Sequence, residues 1–191
     1  MPQENVQEWI DNKIPNTFYD PFTRIKPTSE RELTAVLSVL QQMKRVDWQR
    51  VKLHSVVDES GTITSSRKIL SSDLVTSEYP LFAKGDYEIG RWGRMTPDLA
   101  FTDREVSRLV IVEAKIDSHF TFSDEPPDGQ VSRYLEYLAA CRIEEKCLVV
   151  LCPEFNTSWY AERMKRAVVK LGSIVPTYTM EWEDIFSAVE G

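Results

Sequence analysis

Three charged residues stand where the sequence otherwise looks like buried β-strand. Asp98 precedes the apolar run "LAF", and Glu113 and Lys115 end the apolar run "RLVIVEAK". Removing an unpaired charge from water is costly, so such groups pair with one another, reach solvent or hold a ligand. Two carboxylates beside one ammonium could hold Mg²⁺ and stabilise charge on a phosphate. The stretch 95–120 therefore indicates chemistry of the kind that hydrolyses phosphodiesters with the help of a metal.

Strand geometry decides whether these side chains can meet. Side chains alternate between faces along a strand, so Glu113 and Lys115 share one face, about 7 Å apart, while Val112 points to the other. A hairpin through the polar turn "DREVS" would bring Asp98 beside Glu113. The alternative is a cross-strand ion pair near a sheet end, with one partner solvated. Lys115 could orient or help to deprotonate a water, or it could stabilise phosphate oxygens, and both roles remain open at this point.

The surrounding pattern predicts alternating strands and helices. Strands are expected at "WQRVKLHSVV", near "LVTSEYPLF", at the two site runs, at "KCLVVLC" and at "SIVPTYT". Helices are expected at "DGQVSRYLEYLAAC", at "TSWYAERMKRAVVKL" and from about Glu181. The polar stretch "DESGTITSSRKILSSD" reads as a hairpin or loop. We expect an α/β domain over residues 28–191, with a central mixed sheet flanked by helices on both sides.

Residues 1–27 form a predicted extension to this domain. A short helical pattern with Trp9 and Ile10 is followed by a segment punctuated by Pro15, Pro21 and Pro27. The apolar stripe of that helix is expected to dock on the domain or on a second subunit.

A helix is strongly predicted from Ser29, in "SERELTAVLSVLQQMKR". Ser29 and Glu32 fit a capping box, which explains Glu32 through helix initiation. Glu30 lies at the head of the apolar stripe that contains Leu33 and Leu37, an unusual position for a carboxylate. Glu30 is either a first-turn acid favourable to the helix dipole or a further member of the charged site.

Three parts of the sequence resemble one protein family. "PD" at 97–98 followed by "EAK" at 113–115 resembles the PD-(D/E)XK nuclease superfamily. "QVSRY", with Gln130 and Tyr134 four residues apart, resembles the QxxxY element of its recombination-nuclease branch. "SERELTAVL" is similar to the first-helix signature of archaeal Holliday-junction resolvases, and Glu30 matches the Glu that joins their metal site. The resemblance covers roughly residues 29–152 and implies a restriction-endonuclease-like core.

The resemblance implies a Mg²⁺-dependent or Mn²⁺-dependent nuclease that leaves a 3′-hydroxyl and a 5′-phosphate on DNA. Asp98, Glu113 and Glu30 would be metal ligands, and Lys115 a catalytic residue. Gln130 would hydrogen-bond a phosphate or the attacking water near the helix N-terminus, and Tyr134 would support the Lys or a phosphate. The alternative is a helix-start polar residue and a half-buried aromatic. The insertion "DSHFTFSDEPP" departs from the family pattern; it could gate substrate, or its acidic residues could instead repel DNA.

Two other functions are compatible with the same residues. The superfamily contains members that have lost catalysis, so the chain could be a silent protein-interaction or assembly subunit, in keeping with an acidic pI of about 5.0. It could also be a structure-selective resolvase that acts as a homodimer. Endonuclease or exonuclease action, and DNA or RNA as substrate, are not separated by these patterns.

Binding of nucleic acid would depend on local cations, because the formal net charge is −7 and a polyanion is usually met by excess Lys and Arg. Arg91, Trp92 and Arg94 could contact the backbone and stack on a base. Alternatively, these three residues belong to a solvent-exposed loop in which only the Trp is packed. A second candidate is a stripe of basic residues on the helix predicted at "TSWYAERMKRAVVKL", namely Arg163, Arg166 and Lys170. The stripe could equally be the solvent-exposed face of that helix.

Composition narrows the class of protein further. The 191 residues, 42% hydrophobic and 28% charged, are typical of a globular domain. No apolar run approaches bilayer length, and the N-terminus lacks the pattern of a signal peptide, so a cytoplasmic protein without a membrane partner is expected. Three Cys without CxxC spacing predict reduced thiols rather than disulfides or zinc. His54 is expected to be structural, and no catalytic role is assigned to His119.

Overall fold

The computed structural model describes residues 6–58, 61–78, 96–116 and 129–190. Its helices are α1 (Val6–Lys13), α2 (Glu30–Gln42), α3 (Gln130–Ala140), α4 (Thr157–Leu171) and α5 (Trp182–Ala188). Its strands are β1 (Lys52–Ser55), β2 (Thr62–Thr64), β3 (Leu74–Ser77), β4 (Leu99–Thr102), β5 (Arg108–Ala114), β6 (Glu145–Cys152) and β7 (Thr177–Glu181). Short 3₁₀ turns occupy Asn16–Phe18, Ser65–Arg67 and Glu154–Asn156.

The strands form one mixed sheet in the order β2-β1-β7-β6-β5-β4-β3. The three central strands, β5, β6 and β7, are parallel and are connected through α3 and α4. The pairs on either side of this centre are antiparallel. A central parallel strand is buried on both faces, which explains the continuous apolar run of β6. The predicted α/β class with a mixed sheet is confirmed.

Helices cover both faces of the sheet, as the alternation along β5 requires. Val110 and Val112 belong to the apolar cluster that contains Leu33 and Leu37 of α2. Ile111, between them, belongs to the cluster under α3 and α4. Glu113 continues the series of Ile111, so its side chain points to the face covered by α3.

The N-terminal segment packs on this chain's own fold. Trp9 and Ile10 of α1 and Phe18 of the following turn are buried in the core beside α2 and α5. The ring centroid of Trp9 lies 5.7 Å from that of Phe186, and its Nε1 donates to Glu183 Oε1 at 2.6 Å. Residues before Pro27 therefore contribute to the same core as the sheet.

Several boundaries differ in detail from the predicted ones. Within the polar stretch after β1, residues Thr62–Thr64 form β2 and pair with β1 as a hairpin. Strand β7 runs on to Glu181, beyond "SIVPTYT", because it pairs with the whole apolar end of β6. No helix in the described ranges is long and apolar enough to cross a membrane.

The three cysteines are free thiols, as predicted. Cys147 and Cys152 lie in the core, and burial raises the pKa of each to about 12. Cys141 is only half-buried.

Candidate active site

The candidate site is built where β5 loses one neighbour and keeps the other. Pairing with β4 runs only as far as Val112, opposite Leu99. Pairing with β6 continues to Ala114, opposite Leu151. The antiparallel register places Asp98, which directly precedes β4, across from Glu113, as the hairpin prediction required. The carboxyl end of β5 thus has one edge open to side chains.

Two acidic side chains take the place of the missing strand partner. Asp98 Oδ2 accepts the backbone N–H of Ala114 at 2.7 Å. Glu30 Oε2, from the first residue of α2, accepts the N–H of Ile116 at 3.0 Å. Backbone N–H groups withdrawn from water need acceptors, so these carboxylates have a structural task whatever their chemical one. The N–H of the intervening Lys115 is satisfied by β6.

Glu113 lies at the centre of the cluster and is only 4% exposed. Its Oε1 accepts from Lys115 Nζ at 2.7 Å and from Gln130 Nε2 at 2.6 Å. Its Oε2 accepts from Tyr134 Oη at 2.9 Å. Gln130 and Tyr134 lie one turn apart at the start of α3, which explains why residues four apart reach the same carboxylate. The structure therefore brings the predicted QxxxY pair onto the predicted Glu.

Lys115 lies between two acids. Its Nζ is 2.7 Å from Glu113 Oε1 and 4.0 Å from Glu30 Oε1. Burial alone would lower the pKa of Lys115, but attraction to Glu113, the hydrogen bond that Lys115 donates to Glu113 and the charges of Glu30 and Asp98 raise that pKa overall. The ammonium form is the stable one in this arrangement.

The site carries more negative than positive charge. Three carboxylates, those of Glu30, Asp98 and Glu113, share the ammonium of Lys115. Burial, followed by repulsion from Glu113 and then Glu30, raises the pKa of Asp98 to about 7, although the Ala114 N–H lowers it. A raised carboxyl pKa means that the charged form is disfavoured. A cation would relieve that repulsion.

The donor set suits a hard cation. Asp98 and Glu113 present carboxylate oxygens, which Mg²⁺ and Mn²⁺ prefer, and protein Mg²⁺ sites commonly use only one or two carboxylates plus water and phosphate. In the part of the chain that the structure describes, no three His, Cys, Asp or Glu side chains form a metal-binding group. A carboxylate has about four acceptor sites, and three donors contact Glu113, so a metal would take the remaining site or replace one donor.

The other predicted contact residues lie elsewhere. Arg91, Trp92 and Arg94 fall outside the described residues, as does His119. On α4, the guanidinium of Arg163 lies 3.7 Å from the ring centroid of Trp159, Arg166 pairs with Glu162 at 3.1 Å, and Lys170 is exposed. Their role in DNA binding stays a prediction.

His54 lies in the β1–β2 hairpin. Its Nδ1 is 3.3 Å from Thr62 Oγ1, in keeping with the structural role expected for it.

Sequence reasoning missed two features of the site. It did not foresee that Asp98 and Glu30 bind backbone N–H groups, because that follows from where β4 stops pairing. It also did not single out Asn156, whose Nδ2 donates to the carbonyl of Ile116 at 3.2 Å. An Asn before a helix usually signals a cap, so its pattern pointed to a local role.

The chain matches no protein-family model, and no significant match is found among curated proteins or solved structures. The resemblance to the PD-(D/E)XK superfamily therefore stays a prediction from motifs in the sequence.

Proposed function

We propose that this protein is a Mg²⁺-dependent nuclease that hydrolyses phosphodiester bonds in DNA, built on a restriction-endonuclease-like core. One observation supports the proposal above all. Residues from four separate segments meet around Glu113, and they are the residues that the family resemblance singled out. An accidental match of short motifs would not be expected to place Lys115, Gln130 and Tyr134 within hydrogen-bond distance of Glu113.

The proposed roles follow from the contacts. Asp98 and Glu113 hold the cation, and Glu30 lies at its margin. When bound, Mg²⁺ would lower the pKa of a water molecule and offset charge that develops on the phosphate. The acids around Lys115 favour its ammonium form, which donates hydrogen bonds. Its role is to orient that water or to stabilise phosphate oxygens as a point charge.

Gln130 and Tyr134 fix the central carboxylate. Both donate to Glu113, one to each oxygen. Outer hydrogen bonds of this kind set the orientation of a ligating carboxylate. Gln130 also begins α3, where backbone N–H groups and the helix dipole favour an anion such as a scissile phosphate.

A catalytically silent assembly subunit is the second candidate. Glu113 already has three donors, while Asp98 and Glu30 bind backbone N–H groups. Such a cluster could persist as a structural network in a protein that no longer cleaves DNA. The two candidates differ in whether the cluster responds to a divalent cation.

The deciding experiment is a cleavage assay with purified protein. Single-stranded, double-stranded and branched DNA, and a matched RNA, are incubated with Mg²⁺, with Mn²⁺ or with EDTA. We expect metal-dependent cleavage of DNA that is lost in Lys115→Ala. Lys146→Ala is the matched control, because Lys146 donates to the carbonyl of Cys141 near the opposite end of the sheet.

The outcomes separate the candidates. Cleavage that persists in Lys115→Ala would point to a contaminating nuclease. No cleavage with either metal, on any substrate, would favour the silent subunit. Preferential cutting of branched DNA by a dimer would identify the structure-selective resolvase.

A further inference from the structure

Asn156 stands at the N-cap position of α4 but does not cap that helix with its side chain. Ser, Thr, Asp and Asn at this position usually accept a hydrogen bond from a backbone N–H of the first turn. Asn156 is instead 5% exposed and donates from Nδ2 to the carbonyl oxygen of Ile116 at 3.2 Å. Asn156 therefore binds a distant segment of the chain instead of capping its own helix.

Two side chains hold the peptide groups on either side of Ile116. Glu30 accepts the N–H of Ile116 at 3.0 Å, and Asn156 binds its carbonyl. The two peptide groups before these are held by Asp98 and by β6, as described above. Lys115 directly precedes Ile116, so the backbone that carries the ammonium is fixed on both sides although β5 has already ended.

We infer that Asn156 is a positioning residue, which holds the Lys115–Ile116 backbone so that the ammonium of Lys115 stays against Glu113. Asn156 is the uncharged member of the three side chains that hold this segment. It can be replaced without altering the charge of the site, which makes it the cleanest probe of positioning.

The first test does not require cleavage. Lys115 is 4% exposed and paired with Glu113, so acetic anhydride should acetylate it much more slowly than the exposed Lys44. In Asn156→Ala and Asn156→Ser the segment loses its tether, and we expect the Lys115 rate, relative to Lys44, to rise at least about threefold through local opening. The side chain of Asn156 makes no cap bond to α4, so neither substitution removes one. Mass spectrometry of digested protein gives both rates.

Gln41→Ala is the matched control. Gln41 is also a buried amide, and it donates to the carbonyls of Leu70 and Asp73 at 2.9 and 3.1 Å. Its loss should lower stability without changing acetylation of Lys115. A general loosening of the fold would instead raise the rate in all three variants.

The second test rests on the proposed nuclease function. A misplaced Lys115 affects the transition state more than binding, so kcat should fall about 10–100-fold in both Asn156 variants. KM should stay within about twofold, since no substrate contact is removed. Gln41→Ala should keep the kcat of the wild type. If the wild type does not cleave, the proposed function fails while the acetylation test still decides the role of Asn156.

Three results would overturn the inference. If Lys115 is acetylated at the wild-type rate in either folded Asn156 variant, Asn156 does not hold Lys115 in place. An equal rise in Gln41→Ala would reduce the effect to general stability. Failure of both Asn156 variants to fold would make Asn156 a folding residue rather than a positioning one.

Discussion

The two ends of β5 carry buried ion pairs of different composition. Near its start, Arg108 pairs with Asp73 at 2.6 Å, with side-chain exposures of 14% and 1%. Near its end, Lys115 pairs with Glu113 at 2.7 Å, each with 5% exposure. The first pair joins one acid to one base. The second belongs to a group in which three acids share one base.

The balance of charge separates a structural pair from a candidate site. Asp73 also accepts the N–H of Leu70, so its charge is matched locally by the guanidinium and a backbone donor. At the other end, the pKa of Asp98 is raised to about 7 because burial and neighbouring carboxylates oppose its ionisation. Unfavourable charge that is retained in a fold is typical of functional sites, where stability is traded for chemistry.

The largest loss of stability is expected at the start of β5, where one acid pairs with one base. Asp73→Ala leaves the guanidinium of Arg108, whose side chain is 14% exposed, without this partner. Breaking a buried pair costs about 3–5 kcal/mol, and the lower end of that range, about 3 kcal/mol, is expected for this partly exposed one. Urea unfolding would measure the loss. The rate of DNA cleavage per folded molecule should be unchanged, because this pair lies at the far end of β5 from Glu113. A loss of cleavage that matches Lys115→Ala would refute the contrast between the two ends.

The largest loss of activity is expected at the carboxyl end of β5, where three acids share one base. Lys115→Ala removes a charge aimed at the developing negative charge, and loss of one such group lowers kcat by about 10²–10³-fold. Its free energy of unfolding should fall by less than that of Asp73→Ala, since Glu113 keeps the donors Gln130 and Tyr134. Single-turnover cleavage and urea unfolding of the same preparations would check both statements. The contrast would not survive if Lys115→Ala proved the less stable variant.

A smaller effect is expected from Tyr134→Phe. The ring stays in the core while the donor to Glu113 Oε2 is lost, and a hydrogen bond to a charged group contributes about 2 kcal/mol. The unfolding free energy should fall by that amount. Cleavage should fall less than in Lys115→Ala, because Gln130 and Lys115 still hold the other oxygen. Unchanged stability would mean that Tyr134 contacts Glu113 without supporting it.

Local patterns predicted much of the fold and part of the site. Alternation along β5 correctly put Val112 on the face opposite Glu113, because strand side chains have a fixed period. Ser29 caps α2 as the capping box predicted, and its Oγ accepts the N–H of Glu32 at 3.3 Å. The short turn between β4 and β5 fixed the register that sets Asp98 opposite Glu113.

Other parts of the site depend on the whole fold. Glu30 reaches the N–H of Ile116 from 86 residues away, and Asn156 reaches the same residue's carbonyl across 40 residues. Neither contact follows from the periodicity of a helix or strand, or from a turn that links neighbouring elements. The family resemblance, rather than any local pattern, pointed to Glu30 as a member of the site. Asn156 had no such pointer.

The smallest effect tests the surplus of charge itself, through Asp98→Asn. The amide keeps the shape and can still accept the N–H of Ala114, while one of the three carboxylate charges is removed. In the folded wild type the pKa of Asp98 is about 7, above its ordinary value of 3.8. Between these values the folded state binds more protons at Asp98 than the unfolded state, so the contribution of Asp98 to wild-type stability falls as the pH rises from about 4 to about 7 and is level above. The variant lacks this dependence.

Above pH 7 without metal, Asp98→Asn should therefore be more stable than the wild type by about 1 kcal/mol. This gain is smaller than the free energy that corresponds to the whole pKa shift of Asp98, because Asp98 is only half-buried and water can reach it. Excess Mg²⁺ should reverse the order, since binding stabilises the wild type by mass action, about 2.7 kcal/mol at 100 times Kd, and the variant far less. In a structural ion-pair network, the substitution would instead weaken the support of Lys115 and destabilise the protein at every pH, with or without metal. Melts of both proteins at pH 5 and pH 8, in EDTA and in excess Mg²⁺, distinguish these cases. A variant less stable at pH 8 in EDTA, beside a wild type that does not respond to Mg²⁺, would place the two ends of β5 in the same structural class.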